Sequence, residues 1–355
     1  MTAPFRLYGA ELSPYSVKLR SYLRYKGLQF EWLQRTDARQ PDFQRYAKLP
    51  LVPVLVDADE TALQDSTLIM ERLETEFSEP STVPDEGALA FVAALLEDYA
   101  DEWLNKAMFH YRWSYPDDQE SAARRIADML FEGADKPEGI EESVRTRMIG
   151  RLHHVGSSPE TAPVIEGSFA RVIVLLDKLV WTRPYLFGGR PSFADFGLAG
   201  QLKQLLSDPT PSAMIKAQSP NLTRWIERMD APAASGDFAT FETVRGDLVD
   251  LLREEFAGAY LAWMSANAQA VEDDASGVSV EIAGRTFTQK PQRYAAKAFA
   301  ELKRKRGLVD DDALAELLRE TGCDAFLAAP STIASPEIEP DPDAEVDGGE
   351  DEAED

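Results

Sequence analysis

The first 80 residues alternate short apolar runs with segments of helical periodicity, and this alternation limits the fold more than any other feature of the chain. Phe5–Tyr8 is a short apolar run, after which Tyr15, Leu19, Tyr22 and Leu23 recur at helical spacing until Gly27 stops them. Phe30–Leu33 reads as a second strand and residues 40–47 as a weak helix. Pro53–Val56 and Thr61–Gln64 read as a hairpin around Asp57–Glu60, and a third helix runs from Ser66 to about Phe77. The order βαβ, α, ββ, α predicts an α+β domain over residues 1–80.

Pro80 and Pro84, set among small and acidic residues, mark residues 81–87 as a linker. The chain beyond it turns helical, so the fold class is α+β followed by all-α. Leu89, Val92, Leu96, Tyr99 and Trp103 make one apolar stripe, and Phe169, Val172, Ile173, Leu176, Leu179 and Val180 make another. Ser192 and Asp195 have the spacing of a capping box, in which each side chain reaches the other's backbone amide. A helical domain is therefore predicted over residues 88–235. Around residue 236 the register changes. Residues 241–270 are helical, 278–282 alternate as a strand does, and Gly284 turns a small hairpin. Helices follow over 291–306, closed by Gly307, and over 310–327. Residues 236–330 thus form an additional, mostly helical region.

Residues 331–355 carry eleven Asp or Glu and no Lys or Arg, which predicts a disordered acidic tail. Removing those eleven from the formal charge of −25 leaves −14 on the rest. So acidic a chain argues against nucleic acid and against anionic membranes as partners. Lys303–Arg306 ends a helix before Gly307, where it complements the helix dipole. The single cysteine, Cys323, excludes a disulfide framework and any Cys-x-x-Cys chemistry. His153 and His154 are adjacent, so a helix points them apart, and no metal site is read. Residues 1–8 lack the pattern of a secretory signal, and no apolar run approaches the roughly 18 residues of a membrane span. The cytoplasm is the expected location.

Three short segments carry the chemistry. Ser13-Pro14-Tyr15 joins the first strand to the first helix. Ser13 is a good N-cap and Pro14 sits at the preferred first helical position, which is one complete reading. The other uses the same geometry. A helix N-terminus favours an anion, and a hydroxyl there can stabilise a bound thiolate, lowering a thiol pKa that is ordinarily ~8.5. Val52-Pro53 stands before a strand, where the proline is either a trans residue opening that strand or a cis one that turns the Val52 amide and carbonyl toward a peptide ligand. Gln64-Asp65-Ser66 lies between a strand and a helix. Ser66 can bind a carboxylate through hydroxyl and amide, and Asp65 can hold an ammonium group. Singly, an Asp-Ser cap is commonplace; together they suit the zwitterionic end of an amino acid or a γ-glutamyl group.

In order and spacing these segments resemble the glutathione S-transferase family, over roughly residues 4–235 and including the Ser192–Asp195 box. The resemblance implies a thioredoxin-like glutathione-binding domain, the helical C-terminal domain of that family, and glutathione as cosubstrate. Ser13-Pro14-Tyr15 looks most like the serine-type transferases, which makes Ser13 the catalytic residue assisting the glutathione thiolate. By the same resemblance, Val52, beside Pro53, pairs with the cysteinyl backbone, and Gln64, Asp65 and Ser66 hold the γ-glutamyl end. Tyr8 ranks second to Ser13, because some members use a tyrosine at the end of strand one. A small electrophilic substrate held against residues 99–115 and a homodimer are further implications. Two departures stand out. Members usually place a polar residue before the Val-Pro pair to hold the glycine carboxylate, whereas this chain has Leu51; Lys48, three residues back, is either a substitute for it or, the reading we prefer, a solvated lysine. The common fold also lacks residues 236–330. These departures support an alternative, a non-catalytic scaffold or protein-interaction module of the same fold.

Overall fold

The computed structural model describes residues 4–132, 134–328 and 331–336; of the acidic tail, residues 337–355 lie outside the described part. A four-stranded sheet opens the chain, with β1 Phe5–Gly9, β2 Phe30–Gln34, β3 Val54–Val56 and β4 Ala62–Gln64 in the order β2-β1-β3-β4. β1 pairs parallel to β2 and antiparallel to β3, and β3 pairs antiparallel to β4. The helices are α1 Pro14–Tyr25, α2 Gln40–Tyr46 and α3 Ser66–Glu76. This is the predicted βαβ, α, ββ, α order, and it is a thioredoxin-like arrangement. Because strand side chains alternate between faces, Leu7, Leu55 and Leu63 enter the main core while Tyr8, Val54 and Val56 pack on Phe43 and Tyr46 of α2.

The helical domain comprises α4 Gly87–Tyr99, α5 Asn105–Ser114, α6 Pro116–Leu130, α7 Ile140–Ile149, α8 Ala162–Leu179, α9 Phe193–Ser207, α10 Pro209–Gln218 and α11 Pro220–Arg228. A π-helical turn over Ala100–Leu104 joins α4 to α5. α9 is buried almost throughout, and its start is the predicted capping box: both the Ser192 amide and its hydroxyl donate to Asp195 Oδ2 at 2.9 Å. Gly200 on α9 faces the start of α1, where a Cβ would lie 2.7 Å from the Pro14 carbonyl oxygen. The missing side chain lets α9 seat directly beneath the N-terminus of α1.

The C-terminal region adds α12 Phe241–Leu251, α13 Leu261–Glu272, the hairpin β5 Val278–Ile282 with β6 Arg285–Gln289, α14 Arg293–Gly307, α15 Asp312–Thr321 and α16 Asp324–Leu327. The expected helix over 241–270 continues to Glu272, with a π-helical stretch over Leu252–Tyr260 between α12 and α13. The expected 310–327 helix divides at Gly322, whose φ of 83° is left-handed. This region is not an appendage, since one continuous apolar core runs from Leu7 to Leu327. Among the described residues no helix is long and apolar enough to cross a membrane.

Candidate functional site

The strand register gathers the predicted site residues at one end of the sheet. Tyr8 pairs with Val54, and Val54 pairs with Gln64, so three strands share one row. Two residues beyond that row lie Ala10 after β1, Val52 before β3 and Ser66 after β4. Neighbouring strands stand about 4.8 Å apart, so the three loops are adjacent. The N-termini of α1 and α3 both open at this edge, bringing free amides and partial positive charge.

Ser13 caps α1. Its Oγ accepts from the Ser16 amide at 3.2 Å, which leaves the hydroxyl proton available to a ligand. The loop before it is held from the helical domain, because Arg112 Nη1 donates to the Leu12 carbonyl at 3.1 Å and Gln204 Nε2 donates to the Glu11 carbonyl at 2.8 Å. The Val52-Pro53 bond is cis. Among the described residues the Val52 amide and carbonyl make no hydrogen bond, and neither do the amide and hydroxyl of Ser66.

The other predicted residues are already engaged. Gln64 Nε2 donates to the carbonyls of Leu49 at 2.8 Å and Leu51 at 2.7 Å, and its Oε1 accepts from the Leu49 amide at 3.1 Å. It therefore shapes the loop that carries Val52. Asp65 has a φ of 82°, a left-handed conformation uncommon for aspartate, and caps α3 by accepting from the Thr67 and Leu68 amides through Oδ1. Its Oδ2 accepts from the hydroxyl of Tyr294 on α14. Burial raises the Asp65 carboxyl above its ordinary range. Tyr8 does not join this group. It is fully buried on the α2 side of the sheet, donating to Asp42, and burial pushes its phenol up. Lys48 is exposed, and Leu51 is 53% exposed beside it in the loop.

A buried charge cluster backs the edge. Lys18 of α1 donates to Glu97 and, at 2.5 Å, to Asp101 Oδ2, while Thr67 of α3 donates to Glu97 at 2.5 Å. The cluster clamps α1, α3 and the end of α4 together. Burial raises the carboxyls of Asp98 and Asp101 to about 7. Nothing at sequence level marks these residues, because their partners are far apart in the chain.

The stretch expected to face an electrophile is largely covered. Tyr99 stacks on Phe256 at 4.7 Å, Trp103 lies against Trp263 and Phe287, and Lys106 Nζ sits 3.8 Å from the centre of the Trp263 ring. His110 is buried, with Nδ1 2.8 Å from Ser157 Oγ and Nε2 3.1 Å from Glu166. The aromatic run over 99–115 thus packs mainly within the helical domain and against the C-terminal region.

The family model described as the glutathione S-transferase N-terminal domain matches residues 7–81, and that of the glutathione S-transferase C-terminal domain matches residues 140–228. The chain is 25% identical over 231 residues to an isoprene-epoxide–glutathione S-transferase of Rhodococcus sp. (strain AD45), an alignment covering 62% of this chain and 92% of that protein. It is 28% identical over 236 residues to glutathione S-transferase 3 of Zea mays, covering 65% and 91%. Among solved structures, a beta-etherase from Sphingobium sp. strain SYK-6 aligns with a TM-score of 0.49 at 20% identity, over 64% of this chain and 96% of that one.

Proposed function

A chain that carries both of these domains belongs to the glutathione S-transferase family, and on that footing we propose that it binds glutathione across the ends of β1, β3 and β4 and activates its thiol. The observation that carries the reading is the set of groups at one sheet edge that make no hydrogen bond among the described residues: the Ser13 hydroxyl proton, the Val52 amide and carbonyl, and the Ser66 amide and hydroxyl. A peptide backbone laid along Val52 pairs as an added strand does. A γ-glutamyl carboxylate meets the N-terminus of α3 at Ser66, with its ammonium directed at Asp65. The sulfur then lies at the N-terminus of α1, where the helix field and the Ser13 hydroxyl favour thiolate over thiol. The thiol proton leaves to solvent, and the sulfur lone pair forms a carbon–sulfur bond to a small electrophile, whose displaced electron pair remains with the leaving atom. A homodimer and a cytoplasmic setting, where a glutathione pool exists, complete the proposal.

Two observations favour the alternative of a non-catalytic scaffold. Tyr294 holds Asp65, and the C-terminal region covers Tyr99 and Trp103, where an acceptor would bind. Calorimetry with glutathione on the wild type and on Ser66→Ala separates the two. Binding that weakens about tenfold or more in the variant, a loss of about 1.4 kcal/mol, supports the transferase reading. No detectable binding at millimolar glutathione sinks it.

A further inference from the structure

α14 packs on α13 and α4 and reaches α3 through two side chains. Tyr294, in the first turn of α14, donates to Asp65 Oδ2, and about three turns further along Lys305 pairs with Glu71 of α3 at 2.5 Å. The beginning of α14 is fixed from behind. Fully buried Asn267 of α13 accepts from the Gln292 amide at 2.7 Å and donates to the Gln292 carbonyl at 2.8 Å. Tyr294 is therefore delivered to Asp65 by an anchored backbone two residues away. Its own side chain is not locked in a core, since the residue is 41% exposed.

Asp65 has one oxygen to offer a ligand. Oδ1 is committed to the Thr67 and Leu68 amides, so Oδ2 remains, and that is the atom Tyr294 takes. The surroundings favour a cation there. Glu97, whose carboxyl the Lys18 ammonium holds in its charged form, adds negative charge beside Asp65, with Lys18 opposing it. A phenol is a neutral occupant of a place whose electrostatics suit an ammonium.

We infer that Tyr294 is a built-in competitor for the amino end of glutathione: its hydroxyl occupies the acceptor that the ligand's ammonium needs, and the ring swings toward solvent when the ligand binds. The inference rests on the glutathione-binding reading. An ammonium–carboxylate pair is stronger than a phenol–carboxylate bond, so the ligand displaces the hydroxyl at a cost in affinity. The C-terminal region thereby sets the glutathione concentration at which the site fills.

The test is calorimetry on the full chain, wild type against Tyr294→Phe, which removes the hydroxyl and keeps the ring. Two probes are used: glutathione, and glutaryl-cysteinyl-glycine, which lacks the amino group. The expected result is glutathione binding about tenfold tighter in the variant, with little change for the deaminated probe. Equal glutathione affinity in the two proteins overturns the competition while leaving the site in place. An equal gain for both probes also overturns it, because that is general loosening. If neither protein binds glutathione at millimolar concentration, the binding reading itself fails and takes this inference with it.

Discussion

The carboxylate of Glu255 accepts a hydrogen bond of 3.0 Å from the hydroxyl of Tyr99, 156 residues earlier in the chain. Trp103 Nε1 at 3.1 Å, Ser168 Oγ, and Arg171 Nε at 2.9 Å complete its surroundings. Glu255 is fully buried, and its partners come from α4, the π-helical turn and α8. This one side chain ties the C-terminal region to the helical domain. Removing it leaves Arg171 and the Tyr99 hydroxyl without their acceptor, while Trp103 Nε1 keeps Ser168 Oγ at 2.9 Å. Glu255→Ala should cost about 3–5 kcal/mol of stability, read from the midpoint of urea unfolding. A loss under about 1 kcal/mol would mean that the Glu255 network adds little to the docking of the C-terminal region.

Ser13 holds its cap through Oγ as acceptor, so its proton can serve the bound sulfur. With Ser13→Ala, glutathione should still bind, since Val52 and Ser66 are untouched, but its thiol should titrate higher. Turnover with an electrophile at pH 7 should fall about tenfold to a hundredfold, and the ultraviolet absorbance of bound thiolate should move to higher pH. Unchanged thiolate absorbance would remove Ser13 from the chemistry and leave it as a helix cap.

Asp98 supplies a pH dependence. Burial beside Glu97 and Asp101 raises its carboxyl to about 7, with the Tyr260 hydroxyl and Lys305 opposing the shift. The unfolded chain releases that proton near pH 4. From about pH 4 to 7 the folded protein therefore holds more protons, and this group's contribution to stability falls as the pH rises. The contribution is complete below about pH 4 and gone above about 7. Asp98→Asn stays neutral and still accepts from Tyr260, so its melting temperature should decline less than the wild type's between pH 5 and 8. Parallel pH profiles would contradict the assignment.

Gly200 tests the coupling between the buried helix and the site. A methyl group there meets the Pro14 carbonyl oxygen at 2.7 Å and Lys18 Cβ at 3.1 Å, both in the first turns of α1. Overpacking of this kind costs about 1–3 kcal/mol. Gly200→Ala should lower stability by that amount and also weaken glutathione binding, because relief requires the α1 N-terminus to move. A variant that loses stability but keeps full affinity would show that the strain is absorbed within α9.

Much of the fold was legible because its determinants are local. The Ser13-Pro14 cap, the Ser192–Asp195 box, the Gly284 hairpin and the period-two and helical stripes each need only a few neighbouring residues to act. The candidate residues at 13, 52 and 66 could be proposed from spacing, and the strand register brings the loops that carry them to one edge. The loop-tying role of Gln64 was not legible, because a glutamine at the end of a strand looks the same in sequence whether it faces a ligand or ties down a neighbouring loop. Tyr8 lies on the α2 side of the sheet, an outcome of strand alternation.

The amino-acid sequence alone determined the helix starts at Pro14, Ser66 and Phe193 and the alternation of Val278–Ile282, since those choices are settled within a turn or a pleat. Only the tertiary structure decided that Tyr294 holds Asp65 across 229 residues, that Glu255 gathers Tyr99, Trp103, Ser168 and Arg171, and that Lys18 is buried between two carboxylates. A buried polar group must find a partner, but any of several dozen distant residues could satisfy it. Which one does is fixed by how the apolar faces pack, and that is a property of the whole chain.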